Sequence, residues 1–317
     1  MALSKAGIGL LFLFHASSTT ADVTPGGVNP PPSSATPAAV LTIPEIPRDT
    51  GGMIHDRDMQ AAWNTIETGA AGHCSALHYR RDKPLVIIDP GHGGGRDKGS
   101  VSVSGITETR IVDPVARHVA EEMRAAGYDV AFTRLPGENY RYDRWNENIG
   151  VRHIKSNQSR AEFALQLAKI TGHLSVKFVS IHADAHPTRN PSVRGATFFA
   201  ASAENNNGLS DFGGAPLNSL SVTFGETIAK NYRIAPGVRT LRNTADFDVI
   251  AYLENRSREL KIPAVGGLLE IGHATSPEDE RIMRNAPQDL GIKIAHAMIR
   301  HTEPDFSRED ILVASIG

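Results

Sequence analysis

The chain of 317 residues holds one cysteine, Cys74. No intrachain disulfide can form and no zinc site can be built on thiolates, so any metal must be held by histidines and carboxylates; Cys74 itself reads as incidental. Cationic excess is also missing, because the formal net charge is −2. That excludes the basic surface expected of a nucleic-acid binder. No apolar run is long enough to span a bilayer: the strongest, Ile8 to Phe14, follows Lys5 and is followed by small residues from Ala16 to Ala21. This is the pattern of a cleavable secretory signal over residues 1–21, with an uncleaved N-terminal segment as the weaker alternative. No cysteine near the apolar run offers a lipoprotein anchor. The expected location is therefore periplasmic or secreted, with no membrane span after cleavage.

Residues 22–82 read as a tether and N-terminal extension. The stretch from Asp22 to about Thr50 is dominated by Pro, Gly, Ser, Thr and Ala and cannot bury enough apolar surface to offset chain entropy. Beyond it, a short helix is expected around Met59 to Ile66. Order begins near Lys83, and a single domain over 83–303 is expected, with a tail from 304 to 317.

Leu85 to Ile88 is an unalternating apolar run, the signature of a strand buried on both faces. Asp89, Pro90 and Gly91 end it, His92 follows, and Gly93, Gly94 and Gly95 come next. A phosphate cradle is a poor reading of these glycines, since neither a Gly-Lys-Ser/Thr ending nor G-x-G-x-x-G spacing is present. Glu108 precedes a helix marked by Ile111, Val115, Val119 and Met123. Pro114 predicts either a kink in that helix or a restart with Asp113 as N-cap. Tyr128 to Arg134 reads as a strand, Leu135 to Gln158 as a loop, and Ser159 with Glu162 as the capping box of a helix through Ala168.

Val176 to Ile181 is a second buried strand, ending on His182. Gly195 to Ala200 and Phe247 to Tyr252 are further strand candidates, while Leu220, Phe224, Ile228 and Tyr232 mark a helix face. Ala264 to Leu269 is an apolar strand ending on Glu270; Ser276-Pro277-Glu278 caps a helix, and Leu290, Ile294 and Met298 mark a last one. Strands alternating with helices predict an α/β fold: a single domain with a mostly parallel twisted sheet and helices on both faces.

In such a sheet the C-terminal strand ends share one edge, where His92, His182 and Glu270 can converge with Glu108. Two histidines and a carboxylate are a donor set of catalytic zinc, with a further carboxylate left to move protons. A solvated glutamate and incidental strand-end histidines remain an alternative on pattern alone.

Four motifs narrow this. DPGHGG with Asp97 and Gly99, Glu108 after Gly105, SIHADA at Ser180 to Ala185, and PAVGGLLEIG at Pro263 to Gly272 resemble the zinc-dependent N-acetylmuramoyl-L-alanine amidases, bacterial cell-wall hydrolases. The resemblance implies a sheet of about six strands, one Zn²⁺ on His92, Glu108 and His182, and Glu270 as the catalytic glutamate. Peptidoglycan would be the partner, cleaved between N-acetylmuramic acid and L-alanine, in wall remodelling or cell separation. Two alternatives stand beside it: a silent peptidoglycan-binding or regulatory module of the same fold, and a zinc peptidase acting on another cell-wall amide.

Departures from the family are Asp184 where Asn is usual, His273 where Phe is usual, and Pro114. His186 and His273 are alternative ligands given little weight, because neither ends a buried strand. Arg134 and Arg160 are candidates for binding substrate carboxylates, with ordinary structural roles as the plainer reading. Some relatives plug the cleft with a helix until an activator protein removes it; Ser202 to Ser219 is short and rich in Gly and Asn, so no such plug is expected, and an activator stays open as a partner.

Overall fold

The computed structural model describes residues 52–68, 79, 82–93, 97–138, 149–201, 219–245 and 247–301. The signal segment, the tether, Cys74 and the stretch from Ser202 to 218, on which the absence of a plug was expected, lie outside them, as does the tail from 304.

Six strands form one sheet: β1 (Leu85–Pro90), β2 (Val130–Phe132), β3 (Val176–Asp184), β4 (Ala196–Ala201), β5 (Thr240–Ala245) and β6 (Ala264–His273), in the order β2-β1-β3-β6-β4-β5. β2, β1, β3 and β6 run parallel; β4 is antiparallel to β6, and β5 is parallel to β4. The expected α/β domain with a mostly parallel sheet of about six strands is what forms.

Seven helices are described: α1 (Asp56–Thr68), α2 (Glu108–Ala125), α3 (Ile149–Thr171), α4 (Ser219–Asn231), α5 (Asp248–Leu260), α6 (Pro277–Asn285) and α7 (Pro287–Ile299). Strand alternation divides the core between the two sheet faces. Val86, Ile88, Val179 and Ile181 pack with α2, α4 and α7, whereas Leu85, Ile87, Val176 and Phe178 pack with α1, α3 and α5. An apolar run without alternation is what double coverage requires. Lys177 is a buried charge inside β3: it is 1 % exposed, and its Nζ donates to the carbonyl of Met298 at 3.1 Å, near the C-terminal end of α7, where the helix dipole favours a cation.

Several expectations are corrected. Phe247 to Tyr252 is not a strand but leads into and begins α5; the strand lies just before it, at β5. β5 is an edge strand whose residues Leu241, Arg242 and Asn243 are exposed, so it lacks the apolar signature of a covered strand. α3 starts at Ile149, which places Ser159 and Glu162 inside the helix rather than at its cap. Glu162 instead accepts from Arg256 Nε at 2.8 Å, joining α3 to α5. Pro114 lies within a continuous α2, and Asp113 is no N-cap: it accepts from Arg134 at 2.7 Å. β3 and β6 do not stop before His182 and Glu270 but run on to Asp184 and His273. The Ser276 cap forms as expected, accepting from the Asp279 N–H.

The helix expected around Met59 to Ile66 is α1, and it belongs to the core. Met53 bridges Val130 on the edge strand, and Trp63 stacks on Phe163 of α3 with ring centroids 4.6 Å apart. Trp63 is 8 % exposed, so Trp63→Ala is expected to cost about 3–5 kcal/mol of stability, read as a lowered urea midpoint. An unchanged midpoint would show that the extension contributes nothing to the core.

Candidate functional site

Register and alternation together place the site. Leu85, Ile87 and Asp89 point to one face of β1, and Asp89 is the register partner of Ser180 on β3. His182, two residues on, pairs with Glu270 on β6. Glu108 arrives from the first position of α2 and closes the cluster. A cleft of about 380 Å³ opens beside the cluster, and His92, Asp97, Arg160, His182, Phe247 and Glu270 are among its walls.

Glu108 is the centre of the group. Its Oε1 lies 3.0 Å from His182 Nδ1 and accepts the Ala183 N–H at 3.0 Å; its Oε2 lies 3.1 Å from His92 Nε2 and accepts the Ser100 N–H at 2.8 Å. One donor atom from each of His92, Glu108 and His182 can be chosen so that all lie within 4.8 Å of one another. Among the described residues no other such group of three occurs. His186 and His273 are not in it. His186 Nδ1 contacts the Thr188 hydroxyl at 3.0 Å, and His273 Nδ1 sits 3.5 Å from Asp184 without a hydrogen bond.

His92 has φ +59, in the left-handed region that costs a non-glycine residue about 1–3 kcal/mol. Two arginines hold it there. Arg134 donates to the carbonyls of Gly91 and His92, each at 2.9 Å, and Arg160 donates to those of Pro90 at 3.1 Å and His92 at 2.6 Å. Both guanidiniums are buried and committed to this loop, so the substrate-carboxylate reading of Arg134 and Arg160 gives way to the structural one. The sequence carried a signal for Arg160: Phe163, Ala164 and Leu167, one and two turns on, are all core residues, which puts it on the buried face of α3.

Gly91 and Gly99 are pressed against the cluster. A Cβ on Gly91 would lie 2.6 Å from the His182 ring. At Gly99, φ is +70 and a Cβ would come within 2.4 Å of His92 Cδ2 and 2.6 Å of Glu108 Oε2. Gly94 and Gly95 lie outside the described residues.

The electrostatics favour a cation. Burial works against charge on Glu108, but His182 and His92 outweigh it and hold its carboxyl well below the usual range. Burial likewise lowers His92, yet Asp97 and Glu108 raise it to about 9. Glu270 goes the other way: burial first, then the charges of Glu108 and Asp184, push it well above the ordinary glutamate value, and its Oε2 is buried without a hydrogen-bond partner. Both His92 nitrogens face carboxylate oxygens, at 2.8 and 3.1 Å, so this ring is satisfied only by an added proton or by a metal ion. Two imidazoles, one carboxylate and an adjacent orphaned carboxylate oxygen suit a divalent cation.

The sign of the pH effect follows for metal-stripped protein. His92 binds its proton more tightly folded than unfolded, so its contribution is full below about 6.5 and is lost as pH rises through about 9. Urea midpoints measured in chelator should therefore fall between pH 6.5 and 9.5, and fall less in His92→Ala. A flat profile would contradict the close carboxylates.

The chain is similar to several known proteins. Over 255 residues the chain is 26 % identical to N-acetylmuramoyl-L-alanine amidase AmiA of Escherichia coli strain K12, covering 69 % of this chain and 76 % of that one. A shorter stretch of 117 residues is 35 % identical to N-acetylmuramoyl-L-alanine amidase AmiC of Neisseria meningitidis serogroup B, covering 36 % of this chain but only 21 % of the relative's length. Among solved structures, N-acetylmuramoyl-L-alanine amidase AmiC2 of Nostoc punctiforme aligns over 68 % of this chain and 96 % of its own, at TM-score 0.45 and 21 % identity. The CwlD amidase of Clostridioides difficile, solved in complex with the GerS lipoprotein, aligns over 68 % and 94 % at TM-score 0.49 and 18 % identity. Residues 86–300, which contain every residue of the cluster, match the family profile itself, and the chain belongs to the N-acetylmuramoyl-L-alanine amidase family.

Proposed function

We propose that the protein is a zinc-dependent peptidoglycan amidase that hydrolyses the amide between the lactyl group of N-acetylmuramic acid and L-alanine, releasing stem peptides. The observation that carries this reading is the convergence of His92, Glu108 and His182 beside Glu270, all within the stretch that matches the family. His92, Glu108 and His182 would hold the ion. When bound, zinc supplies a Lewis acid for the carbonyl and lowers the pKa of a water to about 7.

The chain's own residues supply the rest. Glu270 takes a proton from the attacking water and returns it to the leaving nitrogen as the C–N bond breaks, so the lactyl carbon gains the hydroxyl oxygen and the peptide leaves as an amine. A carboxyl whose surroundings raise its pKa is suited to both halves of that transfer. Asp184, which stands where the family usually has Asn, adds negative charge near Glu270 and contributes to that rise. The Lys5 and Ile8–Phe14 signal pattern supports action in the periplasm or outside the cell, and no helix among the described residues is long and apolar enough to cross a membrane.

The test is product analysis. Intact peptidoglycan incubated with the protein and zinc should yield free stem peptides with an unblocked L-alanine amine, identified by mass spectrometry, and none when a chelator is present. Products cut within the peptide would instead assign a peptidase, and binding without products would assign a silent module.

A further inference from the structure

An imidazole can give one nitrogen to a cation only if its proton sits on the other, so a ligand histidine needs a partner on its outer side. His92 has one directly: Nδ1 lies 2.8 Å from Asp97 Oδ1, leaving Nε2 toward Glu108. His182 has no carboxylate at that distance on its outer nitrogen. Its Nε2 lies 3.1 Å from Ser180 Oγ, and Ser180 Oγ lies 2.6 Å from Asp89 Oδ2.

Asp89 sets the direction of these bonds. Asp89 is 1 % exposed, pairs with Arg160 at 2.5 Å and also accepts from the Thr133 hydroxyl. Burial opposes its charge, but Arg160, Ser180 and Thr133 outweigh burial and hold its carboxyl below the usual value. An ionised carboxylate only accepts, so the one Ser180 hydroxyl proton points at Asp89. Ser180 then has only lone pairs for His182, and Nε2 must be the donor. Nδ1 is then the nitrogen that faces Glu108 Oε1, 3.0 Å away on the inner side of the cluster, where a cation or a second proton has to sit between the two acceptors.

We propose that Ser180 and Asp89 are positioning residues for the metal: a carboxylate–hydroxyl–imidazole relay, anchored by Arg160, that holds His182 as its Nε2–H tautomer and presents Nδ1 to the cation. This rests on reading His92, Glu108 and His182 as the metal ligands. The fold dictates the relay's form. Ser180 and His182 are two apart on β3 and share a face, and Asp89 is the register partner of Ser180 on β1, so the hydroxyl bridges a gap that the carboxylate does not span. Arg160 also donates to the His92 carbonyl, so one guanidinium ties the backbone of one ligand to the ring of the other.

Zinc affinity, measured by competition with a chelating dye, and the visible spectrum of the Co²⁺-substituted protein test this on the wild type, Ser180→Ala and Ser180→Thr. Loss of the hydroxyl should weaken zinc binding about 10–100-fold and alter the Co²⁺ bands, as removal of an outer partner does, whereas Thr, which keeps the hydroxyl, should stay within a few-fold. Equal affinity in Ser180→Ala and wild type overturns the relay, and so does an equal loss in both variants, which would show packing and not hydrogen bonding. In zinc-loaded wild-type protein, ¹⁵N spectra of the His182 ring should place the proton on Nε2; a proton on Nδ1 overturns the relay even if neither variant folds. Wild-type protein that takes up no zinc would remove the metal-site reading itself, and the relay with it.

Discussion

Glu270→Gln is expected to cut hydrolysis of peptidoglycan by about 10²–10⁴-fold while the protein keeps its full complement of zinc. The substitution preserves shape but leaves a group that can neither accept the water's proton nor return one to the leaving nitrogen. Glu270 is not one of the three residues whose donor atoms cluster, and its Oε2 makes no hydrogen bond, so the metal should lose no partner. Turnover should be followed by stem-peptide release and zinc by direct metal analysis of the purified variant. Zinc lost together with activity would move Glu270 among the ligands, and activity within a few-fold of wild type would end its role in proton transfer.

The second large effect is expected at Glu108. Glu108→Gln should weaken zinc binding by more than the ~10–100-fold typical of an outer partner, because an anionic carboxylate is replaced by a neutral amide. The damage extends beyond the metal. Each carboxylate oxygen accepts one backbone N–H, from Ala183 and from Ser100, and an amide can accept only one of them. The other N–H then faces a donor and is left unsatisfied, costing about 1–3 kcal/mol. His92 would also lose one of the two carboxylates that hold it up at about 9, so its titration, followed by NMR in chelator, should move down. Zinc affinity equal to wild type would remove Glu108 from the ligand set; an unmoved His92 would show that Asp97 alone sets its protonation.

Of the residues at the site, His92, His182 and Glu270 were legible in the sequence as candidates because each interrupts a strong pattern, while Glu108 was marked only by its place before a helix and by the family resemblance. His92 follows an apolar run that ends in Asp-Pro-Gly, His182 breaks another such run, and Glu270 a third. Buried parallel strands are read easily since both faces must be apolar, and their C-terminal ends share the sheet edge where ligands bind, which makes a polar residue there a candidate for chemistry. The same logic failed at β5. An edge strand with exposed Leu241, Arg242 and Asn243 does not need the apolar pattern, so helical residues beginning at Asp248 were read in its place. It failed again at Ser159 and Glu162, whose capping-box spacing occurs here in the middle of α3; Glu162 serves Arg256 of α5, a partner 94 residues away.

Sequence by itself determined the α/β class, the two-sided burial of the central strands, the donor types available to a metal in a chain with one cysteine, and the identities of His92, Glu108, His182 and Glu270. The class, the burial and the donor types follow from local periodicity and composition, whereas the four residues were singled out as one set by the resemblance of their motifs to the amidase family. The tertiary structure alone decided what surrounds them. It turned Arg134 and Arg160 inward onto the carbonyls around a left-handed His92, made Asp89 and Ser180 neighbours by strand register, and packed Trp63 of the N-terminal extension into the core. Partners such as Arg160 and Asp89 lie 71 residues apart, and no local pattern encodes such a pairing: it exists only once parallel strands have chosen their neighbours and register.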